Sequence, residues 1–121
     1  MLHILLDSYP LGILSHPKPD PDILKWAAAC QAAGHKIYIP EVIDYEVRRE
    51  LVRAQKTAGV GNLNALKTVF RFLPLTTPAM LLAADLWARA RSGGYTTGDP
   101  KKLVLVGLNL QRALFSVALL S

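Results

Sequence analysis

Leu2-His3-Ile4-Leu5-Leu6-Asp7 is the stretch on which the reading of this chain turns. An apolar run this short, followed by the turn-prone Ser8 and Pro10, reads as a fully buried first strand of the kind found in parallel sheets. Its acid stands at the carboxyl end of that strand, where open α/β sheets place their ligands. A cap or a turn at Asp7 is the competing reading, because Ser8 and Pro10 favour turn geometry.

Working outward, short apolar runs alternate with longer helical ones, which favours α/β with a mostly parallel sheet. A loop carrying Pro10, Pro17, Pro19 and Pro21 follows the first strand. Leu11 to Leu14 has room for one helical turn within it. A helix is expected from a cap at Asp20 or Asp22 to Ala33, with Ile23, Leu24, Ala27, Ala28 and Ala32 as its apolar face and Gly34 as its stop. Lys36 to Ile39 reads as a second strand, ended by Pro40. The next helix is expected over 41–56, with Ile43, Val47, Leu51 and Ala54 on one stripe. Another is expected over 63–72, with Gly59 and Gly61 ahead of it. Leu73 to Thr76 reads as a weak third strand. A last clear helix runs from Pro78 to Arg91 through Met80, Ala83, Ala84, Trp87 and Ala90, and Gly93-Gly94 ends it. Residues 1–121 are read as a single domain in which 103–121 is an atypical apolar tail.

Composition agrees with one domain: 121 residues, of which 51% are hydrophobic, have room for a core. Lys plus Arg outnumber Asp plus Glu by 14 to 9, giving a net charge of +5, and the pI is about 9.6. That balance suits a polyanionic partner, or serves solubility alone, since there is no dense basic run. Cys30 is the only cysteine, which excludes an intrachain disulfide and a cysteine metal cluster. A reducing compartment, the cytoplasm, is the expected location. Leu2 to Leu6 is too short for a membrane span, and the N-terminus lacks the basic residues and long apolar core of a signal peptide.

Few residues are placed for chemistry. Glu46 lies on the flank of the apolar stripe of its helix, where it would aim at the strand ends; the plainer alternative is a solvated Glu paired with Arg49. Arg48, Arg49, Arg53 and Lys56 form a cationic strip suited to phosphates, or the wet side of the helix, part-neutralised by Asp44 and Glu50. Asp99, in Thr96-Thr97-Gly98-Asp99-Pro100, suits a further metal ligand or a helix cap. His3, His16 and His35 have no metal-ligand spacing, and Ser8 has no His and acid arrangement. Gly59-Val60-Gly61 lacks the Lys and Ser/Thr of a phosphate loop.

Taken together, Ile4-Leu5-Leu6-Asp7-Ser8 resembles the opening of PIN-domain proteins. Ile39-Pro40-Glu41-Val42 with Asp44-Tyr45-Glu46-Val47-Arg48-Arg49-Glu50-Leu51 is similar to the second signature of one bacterial subgroup, which Phe72 to Thr76 and the helix through Trp87 also fit. The resemblance covers about 1–99. It implies an α/β three-layer fold, a small parallel sheet with helices on both faces, and endoribonuclease activity dependent on Mg²⁺ or Mn²⁺. In its terms Asp7 and Glu46 are the catalytic acids and metal ligands, with Asp99 a third ligand; Arg49 and Arg53 of the cationic strip are the candidate nucleic-acid contacts. An antitoxin protein and a homodimer are the implied partners, with no membrane. The chain departs from the family where a third acid should begin a helix: Val104 or Val106 stands there, and the last strand is expected to be missing. A degenerate nuclease, an intact one using Asp99, and an unrelated ending compete for this tail. An apolar helix in a core or interface is preferred over a membrane span because Arg112 lies near its middle. The alternative function is a catalytically inactive PIN-like domain that binds RNA or protein.

Overall fold

The computed structural model describes residues 1–92 and the strand at 103–106. In chain order the elements are β1 (His3–Leu6), α1 (Ser8–Ser15), α2 (Pro21–Ala32), β2 (Lys36–Pro40), α3 (Glu41–Arg53), α4 (Thr57–Val69), β3 (Arg71–Leu73), α5 (Thr77–Arg91) and β4 (Leu103–Val106). Among the described residues the strands form one sheet in the order β3-β2-β1-β4, every pair parallel.

This order dictates the layers. From β1 to β2 to β3 the chain moves steadily one way, so right-handed crossovers lay α1 to α4 on one face. The step from β3 to β4 runs back across the sheet, and the same handedness sends α5 to the other face. The main core obeys this. Ile4 and Leu6 of β1 and Ile37 and Ile39 of β2 pack with Leu11, Leu14, Ala27, Ile43, Val47 and Leu63 of the first four helices, and with Phe70 just after α4. Leu6, Leu11, Ile39, Ile43 and Leu63 are fully buried, each contributing about 1.5–3 kcal/mol. Leu5 and Tyr38 take the opposite face, where the Tyr38 hydroxyl lies 2.7 Å from His3 Nδ1. Ala79 and Ala83 of α5 are buried outside the main cluster.

Local chemistry explains the boundaries. Pro10 sits in the first turn of α1, where its missing N–H breaks no helical bond, so the helix spans eight residues rather than the single turn expected. Asp20 caps α2 by accepting from the Asp22 N–H at 2.9 Å, Pro21 is its first residue, and Gly34 supplies the left-handed conformation after it, at φ 86°. The apolar face of α2 is turned from the expected one. Ile23, Trp26, Ala27 and Cys30 face the core, while Leu24, Ala28 and Ala32 are exposed. Helix α3 starts directly after β2, pinned by Glu41 Oε1, which accepts from the Leu75 N–H at 2.7 Å.

Three expectations change. Helix α4 begins at Thr57, so Gly59 and Gly61 lie inside it. A Cβ at Gly59 would come within 2.9 Å of Leu51 Cδ2, so close approach of α3 and α4 outweighs the poor helix propensity of glycine. Phe72 belongs to β3 and not to α4, and β3 ends at Leu73 because Pro74 has no N–H for the ladder. The tail also differs. Leu103–Val106, expected in an apolar helix, is a strand paired along all of β1, from His3↔Leu103 to Leu6↔Val106. Alternating Leu and β-branched Val suit a strand as well as a helix, and length alone could not separate them.

Candidate functional site

The sheet order places a crevice. Connections leave β1 in one direction and reach β4 from the other, so the carboxyl ends of these two strands form the point where the winding reverses. Leu6 and Val106 end side by side there, and Asp7 is the next residue. It is only 4% exposed. Its extended backbone (φ −85°, ψ 175°) starts α1, yet its carboxylate closes no capping bond onto that helix. The carboxylate is therefore held in a buried position without serving the usual role of an Asp at a helix start.

Helix α3 forms the second wall. Its Glu46 is half-buried and lines a cleft of about 360 Å³ together with Ser8 and Gly12 of α1 and Arg49 and Glu50 of α3. The cleft thus brings Glu46 and Arg49 against the residue that follows Asp7. Arg49 also lies 5.5 Å over the ring of Tyr45. Arg53 stands apart: it pairs with Glu50 at 2.9 Å, both side chains largely exposed.

Not every charge of α3 faces the cleft. Asp44 is buried and takes a two-pronged grip from Arg48, Nε to Oδ2 at 3.1 Å and Nη2 to Oδ1 at 3.0 Å. That pair is structural, and it withdraws Arg48 from the cationic strip. Asp99 lies outside the described residues. Among the described residues no three His, Cys, Asp or Glu gather closely enough to hold a metal. No helix among them is long and apolar enough to cross a membrane. Burial pushes the Cys30 thiol up, away from the reactive thiolate.

The sequence reading missed a neighbouring cleft of about 520 Å³, walled by Ser8, Tyr9, Gly12 and Ile13 of α1 and closed by His16, Lys18 and Asp20. It adjoins the first through Ser8 and Gly12. The position of Tyr9, two residues from Asp7, was the available signal. Extending α1 back to Ser8 is what turns this tyrosine to the surface.

Neither a protein-family model nor a characterised protein matches the sequence. Among solved structures, a chain of VapBC2 from Rickettsia felis, determined bound to a DNA fragment from their promoter, is similar over 98% of this chain and 79% of its own, with 11% identity and a TM-score of 0.65. At that identity the likeness is one of fold, and it agrees with the PIN-like α/β architecture described above.

Proposed function

We propose that this chain is a PIN-like endoribonuclease that works with Mg²⁺ or Mn²⁺ at the carboxyl ends of β1 and β4. The observation that carries this reading is the burial of Asp7 at the point where the sheet reverses its winding. That is where open α/β sheets hold their ligands, and a carboxylate is the donor type that a hard divalent cation takes.

The donors fit a hard cation. Asp7 and Glu46 offer carboxylate oxygens, and the cleft that Glu46 lines beside Ser8 carries no soft ligand. Mg²⁺ is commonly held through one or two carboxylates, with water and substrate phosphate completing its shell. Asp7 and Glu46 would hold the ion, with Asp99 as the proposed third ligand. When bound, it supplies Lewis-acid stabilisation of charge on a phosphodiester. The chain's own groups do the rest. Asp7, shielded from solvent, fixes one side of the site, while Glu46 orients from the α3 wall. Arg49 takes a backbone phosphate, and Arg53 is a secondary contact, because an exposed pair with Glu50 is easily exchanged. In keeping with the PIN-domain resemblance of its motifs, an antitoxin is the proposed protein partner and a homodimer the proposed assembly; the cytoplasm is the proposed location, where a lone Cys30 stays reduced.

Incubation of purified protein and Asp7→Asn with mixed RNAs and Mn²⁺ tests this. The parent is expected to cleave, and the variant to lose on the order of a hundredfold or more, the usual cost of removing a group that stabilises the reacting phosphate. Equal cleavage by both removes Asp7 from the chemistry. RNA retention without cleavage by either favours an inactive RNA-binding domain.

A further inference from the structure

The two clefts along α1 meet at Gly12. A Cβ built there touches nothing within 4 Å, so packing does not demand glycine. Nor does the backbone, since Gly34 alone among the described glycines has a positive φ. Glycine inside a helix is unfavourable. What the missing side chain does is leave the ridge between the clefts low.

The larger cleft is mainly aromatic and basic, whereas the smaller sets Arg49 beside Glu46 and Glu50. Tyr9, 75% exposed, stands on the larger cleft with His16 and Lys18. The Lys18 N–H donates to His16 Nδ1 at 3.0 Å, so the neutral imidazole carries its proton on Nε2 and presents a donor. Asp20, the one acid on that cleft, already accepts from the Asp22 N–H. Across Gly12, Arg49 lines the smaller cleft and stacks over Tyr45, itself 59% exposed. Each proposed metal ligand therefore has an exposed tyrosine nearby in sequence, Asp7 with Tyr9 and Glu46 with Tyr45.

We infer that the joined clefts form a track for single-stranded RNA, passing over Gly12, with Tyr9 as a base-stacking platform and His16, Lys18 and Arg49 as phosphate contacts. Exposed aromatic rings bind the faces of unpaired bases, and a basic groove follows the backbone. A duplex hides those faces in its own stack. The larger cleft is of ligand-pocket size, in the range of about 300–1,000 Å³. RNA as the occupant rests on the function proposed above, whereas the track itself stands on the clefts and rings.

The test is fluorescence anisotropy of a short labelled single-stranded RNA, with and without its annealed complement, in chelator so that cleavage plays no part. The parent is expected to bind the single strand more tightly than the duplex. Tyr9→Ala is expected to weaken it about tenfold, as loss of one stacked base implies, and Tyr9→Phe to retain it. Gly12→Ala is expected to raise the melting temperature by relieving the helix of glycine, and Gly12→Leu to stay folded and bind weakly because it fills the ridge. Equal binding of duplex and single strand, or unchanged affinity in folded Tyr9→Ala and Gly12→Leu, overturns the track. Tyr9-dependent binding by a protein that never cleaves RNA upholds the track while the nuclease reading fails. Cleavage untouched by both substitutions does the reverse.

Discussion

Under the sheet, Ile4, Leu6, Ile37 and Ile39 meet the helices in a wholly apolar cluster. At its carboxyl edge, one residue further along β1, stand a buried acid, a half-buried Glu, a low glycine ridge and an exposed tyrosine. Both regions draw on consecutive residues, Leu6 and Asp7, and both are shielded from water. The difference lies in what each burial does. Removing Leu6 from water is favourable in itself. Removing a carboxylate is not, so the two consecutive residues answer to opposite solvation terms.

Substitution on each side of this boundary sharpens the contrast. The largest stability effect belongs to the core: Leu6→Ala is expected to lose about 2–5 kcal/mol through lost transfer energy and an unfilled cavity, read by urea denaturation. A loss under about 1 kcal/mol would mean the cluster is looser than its burial implies. Arg48→Ala comes next. It strands the buried Asp44 carboxylate, at about 1–3 kcal/mol, since Arg48 is itself partly exposed and solvent shares the pair. Its cleavage of RNA per folded molecule should match the parent, and a selective loss of activity would move Arg48 into the site. Glu41→Ala deprives the Leu75 N–H of its acceptor and is expected to cost about 1 kcal/mol, with amide exchange at Leu75 accelerating most. Smallest is Arg53→Ala, which breaks only an exposed pair. Its stability should shift by under about 0.5 kcal/mol, and a larger change would contradict the description of that pair as solvent-screened.

The contrast also explains what was legible in the sequence. β1, β2 and α3 were readable because apolar runs and periodicity report burial directly, and Pro40 marks the junction between two of them. The rotation of α2 was not, because Leu24, Ala28 and Ala32 are as apolar as the residues that pack, and only the position of the sheet chooses between faces. On α5 the same ambiguity put Met80 and Trp87 in the expected stripe, where both are exposed, while Ala83 of that stripe is buried together with Ala79. The start of α4 was hidden because Gly59 answers to Leu51, a contact that local propensity does not encode. β4 was hidden because Leu103-Val104-Leu105-Val106 suits strand and helix alike until β1 is there to pair with it. At the site, the place of Asp7 followed from its strand, while the opposite fates of Asp44 and Glu46, two residues apart on α3, required the helix to be docked.

The account depends on Asp7 and Glu46 serving one ion. A Mn²⁺ titration of isotope-labelled protein, followed by paramagnetic broadening of its amide signals, tests that pairing directly. Asp7, Ser8 and Glu46 should broaden together at the lowest metal concentration, and Asp7→Asn should abolish the broadening at Glu46. Broadening at Glu46 that persists in Asp7→Asn, or that starts elsewhere in the molecule, would contradict it.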